Sequence, residues 1–86
     1  MTRTIIYKGK KYNGIFISIY NAHHDIYIDR QAHLAILIDI FDKVKSIQKL
    51  ETYQIDVLIN GDEEDIEFLD ELDKLEDKFK NEMNNE

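Results

Sequence analysis

LAILIDIFDKVKSIQKL, Leu34–Leu50, is the most apolar stretch of the chain, and its reading decides the fold. Both alternate sets of residues from Leu34 to Phe41 are apolar. A strand buried on both faces gives that pattern and so does a buried helix, so the continuation has to arbitrate. Gln31, Ala35, Asp39, Asp42, Ser46 and Lys49 fall at steps of three and four and make one small or polar helical face. Leu37, Ile40, Phe41, Val44, Ile47 and Leu50 fill the opposite face. Asp29 stands where an N-cap is wanted, before Arg30, and Asp39 precedes Lys43 by four residues, a favourable helical pair. The spacing therefore predicts a helix here, its first turns wrapped by Leu34, Ile36 and Ile38, which other elements must cover.

Towards the N-terminus, Thr4–Tyr7 reads as a strand and Lys8-Gly9-Lys10 as a tight turn, because Gly9 accepts the positive φ a hairpin needs. Lys11–Tyr20 is a longer strand in which Asn13-Gly14 suggests a bulge. Ile15, Ile17 and Ile19 alternate with Phe16, Ser18 and Tyr20, so period two gives one aliphatic and one mixed face. Asn21–Asp25 is a polar hairpin loop, and Ile26–Ile28 follows as a third strand with Tyr27 on the mixed face. Towards the C-terminus, Tyr53–Ile59 alternates as a fourth strand. Asn60-Gly61-Asp62 turns into a helix over Asp62–Met83, with Phe68, Leu72, Leu75, Phe79 and Met83 as its stripe and acidic residues in its first turn. Asn84, Asn85 and Glu86 are expected to fray. The expected fold is one α+β domain over residues 1–86: β-β-β-α-β-α, a four-stranded mixed sheet with the fourth strand parallel to its neighbour at an edge, both helices on one face and the other face open.

Composition narrows the function. The 86 residues carry no cysteine, so there is no disulfide framework, thiolate metal site or cysteine nucleophile, and a reducing cytoplasm fits. No apolar run has the length of a signal-peptide core or a membrane span. The net charge of −7 is unevenly spread: residues 62–86 hold twelve Asp/Glu against three Lys/Arg, while residues 1–61 are slightly basic. That balance argues against direct phosphate-backbone or anionic-membrane binding as the main activity.

His23, His24, Asp25, Asp29 and His33 are the cluster nearest to a metal-ligand set, but no His-x-His or His-x-x-x-His spacing makes them converge, and a solvated loop accounts for them. Ser18 and Ser46 lack a Gly-x-Ser-x-Gly setting, and Asp39 and Asp42 share a face read as solvent-exposed. No catalytic, cofactor or metal site is expected, and the chain reads as a non-enzyme. Two surfaces remain. Glu63, Glu67, Asp70, Glu71 and Asp77 lie on or near the outer face of the last helix, with Glu63 and Glu67 about 6 Å apart along its axis. Phosphates advance about 3.4 Å per nucleotide. The ridge therefore offers a partial nucleic-acid mimic for a protein that itself binds nucleic acid, the mode of phage-encoded inhibitors of host defence. The ordinary account is that an amphipathic helix needs a soluble face. From another class, Phe16, Tyr20 and Tyr27, joined by Tyr12, share a sheet face near Arg3, Lys8, Lys10 and Lys11, a pattern used to stack single-stranded nucleic acid. The same face, or an unpaired edge strand, would also serve a structural homodimer.

Overall fold

The computed structural model describes residues 2–84 and is an α+β arrangement of five strands followed by two helices. β1 (Thr2–Tyr7), β2 (Lys10–Asn21), β3 (His24–Asp29), β4 (Leu34–Asp39) and β5 (Val44–Lys49) form an antiparallel meander in sheet order β1-β2-β3-β4-β5. α1 (Thr52–Asn60) and α2 (Ile66–Asn84) follow. α2 runs through Asn84, and the remainder of the expected frayed tail, residues 85–86, lies outside the described residues.

The decisive stretch is two strands where a helix was expected. β4 is an interior strand between β3 and β5, and Ala35, Ile36, Leu37 and Ile38 are buried on both of its sides, which is why neither parity is polar. Asp39 closes the hairpin instead of lining a helix face: its Oδ1 accepts the backbone N–H of Phe41 and of Lys43, each at 2.9 Å. Asp42 takes a positive φ of 63° in the same turn. Asp29 serves the preceding hairpin in the same way, its carboxylate accepting the N–H of Ala32 and of Asn13 at 3.0 Å, with His33 at φ 54°. Short polar side chains that bond the backbone two or three residues on favour turns over helices.

The expected fourth strand is a helix. Gln54, Ile55 and Leu58 are the buried residues of α1, at helical spacing, although Ile55, Val57 and Ile59 also alternate. Gln54 folds back to start the helix, its Oε1 accepting the Glu51 N–H at 2.9 Å. With β4, β5 and α1 reassigned, every strand pair among the described residues is antiparallel and none is joined by a crossover.

Both helices cover one face of the sheet. Phe68, Leu75 and Phe79 of α2 with Ile55 and Leu58 of α1 pack on Ile17, Ile26, Ile28, Ala35 and Leu37. At the far end of α2, Ser46 and Gln48 of β5 donate side-chain hydrogen bonds to Glu82, the first at 2.6 Å.

The other face, expected to be open, holds a second buried cluster of Ile5, Tyr27, Ile36 and Ile38, ringed by Tyr12, Phe16, Leu34, Val44 and Ile47. Among the described residues no helix supplies that burial; the sheet curls over itself. Strands in a flat sheet are about 4.8 Å apart, which would hold β1 about 14 Å from β4. Yet Arg3 on β1 pairs with Asp42 of the β4–β5 turn at 2.9 Å and lies 5.4 Å above the Tyr27 ring of β3.

The bulges of β2 fall after Phe16 and after Ile19, where its register to β3 shifts, rather than at Asn13-Gly14, whose pairing with β1 is regular. Gly14 instead leaves room for Ile5 and Tyr27: a β-carbon there would sit 2.5 Å from Ile5 Cδ1.

Candidate protein-binding surface

The acidic residues of the C-terminal segment occupy two different environments. α2 begins at Ile66, not Asp62, because Asp65 rather than Asp62 is its cap: Asp65 Oδ1 accepts the Glu67 N–H at 3.1 Å, and its carbonyl accepts the Leu69 N–H at 3.0 Å. Asp62 supports the turn before it, its carbonyl accepting the Asp65 N–H at 2.8 Å. Glu63 therefore projects from the α1–α2 connection, one turn ahead of the helix, and is exposed.

Within α2, Glu67, Asp70 and Asp77 are exposed, and Asp73, which was not among the expected ridge residues, is exposed with them at the same helical spacing. Glu71 is not on the ridge. It is buried against α1, where it accepts a hydrogen bond from Gln54 Nε2 at 3.2 Å, and Lys74 reaches it at 3.5 Å while pairing more closely with Asp70 at 3.1 Å. Its side chain belongs to the joint between the helices, a role hidden in the sequence because Gln54 was placed on a strand.

From Asp62 to Asp70 there are six carboxylates, all exposed, and no basic residue; the first lysine after Gly61 is Lys74. The densest negative charge thus sits at the α1–α2 connection and the first turns of α2 and thins along the helix. Farther along, crowding shows in Glu76, whose carboxyl is held above the usual range by burial and by the nearby Asp73 and Asp77 charges.

The aromatic residues do not form one exposed platform. Phe16 and Tyr27 do share the curled face, edge to face at 5.6 Å, but Tyr27 is buried beneath Arg3. Tyr20 has crossed to the helix side, where its ring meets Phe79 at 6.4 Å. The bulge after Phe16 inserts one residue and reverses the parity of the rest of β2, so Ile19 rather than Tyr20 continues the Phe16 face. Partial burial, with the Glu76 and Asp77 charges, raises the Tyr20 phenol above its ordinary pKa. Lys8 and Gly9, at φ 51° and 78°, do make the expected tight turn, and the hairpin lysines are exposed.

The histidine cluster is dispersed. His23 lies exposed in the β2–β3 turn, His24 bonds Asn21 Oδ1 at 3.0 Å, Asp29 is committed to two backbone N–H groups, and His33 is in the next hairpin turn. Among the described residues no group of three or more His, Asp or Glu side chains is placed to hold a metal ion. His23 and His24 instead line a shallow cavity of about 380 Å3 with Asp39, Lys45, Met83 and the exposed Ile40 and Phe41 of the β4–β5 turn.

A second cavity, of about 350 Å3, lies between β2 and α2 and adjoins the acidic segment through Glu63. Its walls were not legible in the sequence, because the strand and helix that form it meet only through the fold. No helix among the described residues is long and apolar enough to cross a membrane. Comparison with protein families, with curated proteins and with solved structures yields no match to this chain.

Proposed function

We propose that this chain is a non-enzymatic interaction module that binds a cationic protein through the exposed carboxylates of the α1–α2 connection and the first turns of α2. The observation that carries the reading is the run Asp62–Asp70: six exposed acidic side chains with no lysine or arginine among them, on a protein whose N-terminal two thirds is slightly basic. Glu63, Glu67 and Asp70 lead, Asp73 and Asp77 extend the ridge, and Glu71 is a support for the helix joint. Such a surface attracts a partner rich in Lys and Arg, raises the association rate at low salt and fixes orientation more than it adds raw affinity.

The partner class that fits best is a nucleic-acid-binding protein, in whose groove the carboxylates take the place of phosphates. Blockade would be steric and electrostatic, in the manner of a small inhibitor, with no chemistry performed by this chain.

The test is affinity capture on the immobilised chain from a nuclease-treated and an untreated cell lysate, beside the triple variant Glu63→Lys, Glu67→Lys, Asp70→Lys. A nucleic-acid-binding protein retained after nuclease treatment, released by rising salt and lost on the variant supports the proposal. Retention equal on both columns, or recovery of nucleic acid alone, defeats it.

A further inference from the structure

We infer that the groove between β2 and α2 is the anchoring subsite of this surface, and that its occupant is a cationic segment of the partner carrying a bulky apolar side chain. The inference rests on the acidic-surface reading and adds to it an apolar contact that charge alone does not supply. The free edge of β2, with Ile17 from the helix side and Phe16 and Ile19 from the other face of the sheet, lines one side and Phe68, Leu69 and Leu72 of α2 the other, together with Glu63.

The groove is placed where the sheet runs out of partners. β1 ends its described pairing with Thr2 opposite Ile15, so among the described residues nothing covers Ile17–Asn21 on the side away from β3. Two large aliphatic side chains of the groove's lining stand in water: Ile19 is 66% exposed and Leu69 50%. Singly exposed aliphatics need no explanation, but two facing each other across one concavity do.

Charge names the occupant. Glu63 lines the groove and belongs to the exposed acidic run Asp62–Asp65, while Asp65 and Glu67 line a separate cavity against α1, so an apolar side chain that enters the groove is complemented best if Lys or Arg lies beside it. An anionic or neutral segment would meet uncompensated carboxylates. The free edge of β2 is interrupted by bulges at both ends of Ser18–Ile19, which spoils the even spacing an added strand requires. Recognition therefore proceeds through side chains in the groove rather than by extension of the sheet.

The probe is a displayed library of random peptides selected on the intact chain at low salt and counter-selected on the double variant Ile19→Ser, Leu69→Ser. Both positions are exposed, so the variant is expected to keep the fold, and its far-ultraviolet circular dichroism and unfolding midpoint check this. Enriched peptides should combine Lys or Arg with one or two large apolar residues. One of them, synthesised, should lose about tenfold or more in affinity on the groove variant and again on Glu63→Lys. Peptides sensitive to charge reversal but indifferent to the groove variant overturn this inference and leave the acidic surface standing. Peptides sensitive to the groove variant but unaffected by charge reversal overturn both, since neither the cationic occupant nor the acidic surface then contributes. No enrichment over the counter-selected variant overturns the groove.

Discussion

Replacing Gly14 by alanine tests the curled sheet at its tightest point. Gly14 does not have a positive φ, and at such a position Gly→Ala ordinarily stabilises a protein by about 0.4–1 kcal/mol through the unfolded chain. Here the sign should reverse. The new methyl would lie 2.5 Å from Ile5 Cδ1 and 3.2 Å from Tyr27 Cβ and Cδ2, in the cluster the sheet closes around. Overpacking of that kind costs about 1–3 kcal/mol, so a net loss of about 1–2 kcal/mol is expected. The partner variant Ile5→Val deletes Cδ1 and should cost about 0.5–1.5 kcal/mol by itself. Because the added and the deleted carbons compete for one space, the double variant should be more stable than the two losses summed, by about 0.5–1 kcal/mol. Urea unfolding followed by circular dichroism reads all four proteins, with midpoints compared at a common slope. A Gly14→Ala protein as stable as the parent, or strict additivity in the cycle, would refute the close approach of β1, β2 and β3 on that face.

Neighbouring carboxylates of α2 should behave differently. Glu71→Lys places a charge against Gln54 in the buried helix joint and should cost at least about 2 kcal/mol, whereas Asp70→Lys, on the exposed side, should stay within about 0.5 kcal/mol of the parent by the same denaturation assay. Stability should also depend on pH through two groups with opposite signs. Asp39 is held below the ordinary carboxylate range, first by the Lys43 N–H and then by the Phe41 N–H and Lys45, so its contribution is present above the unfolded pKa of about 4 and is lost as pH falls through its lower folded value. Asp39→Asn should remove that acid-sensitive part of the melting profile. Glu76 is held high, chiefly by burial, so its contribution is full below the unfolded value of about 4.3 and is lost as pH rises through its folded one. Glu76→Gln should raise the melting temperature at neutral pH, with the gain shrinking on acidification.

The first three strands were legible because turn chemistry and period agreed there: Lys8-Gly9 and Asn21–Asp25 are turns by composition, although the strands extend into the latter as far as Asn21 and from His24, and Ile26–Ile28 alternates. The exchange of helix and strand further on has a specific origin. Asp39, Asp42, Ser46 and Lys49 fall at helical steps, but Asp39 is a turn-former whose side chain holds two backbone N–H groups, and that local bond outweighs periodicity. In α1, Ile55, Val57 and Ile59 imitate a strand, while the return bond from Gln54 to the Glu51 N–H marks a helix start that Glu51-x-x-Gln54 announces. The acidic surface could be read as a charge density but not as a set of partners. That Glu71 is buried and Asp73 exposed depends on where α1 packs, and that Tyr20 leaves the Phe16 face depends on a bulge carrying no glycine. The groove beside Glu63 has no sequence signature, since its two walls are some fifty residues apart.

The proposed partner-binding role is tested most directly by the association rate of the captured partner with the intact chain and with Glu63→Lys, Glu67→Lys, Asp70→Lys, measured by stopped flow across a salt series. Lys8→Glu, Lys10→Glu at the distant hairpin serves as the charge control. The acidic surface predicts a rate that falls steeply with salt for the intact chain and for the hairpin control, and a slower, nearly salt-independent rate for the triple variant. A triple variant that associates as fast as the intact chain, with the same salt dependence, would contradict it.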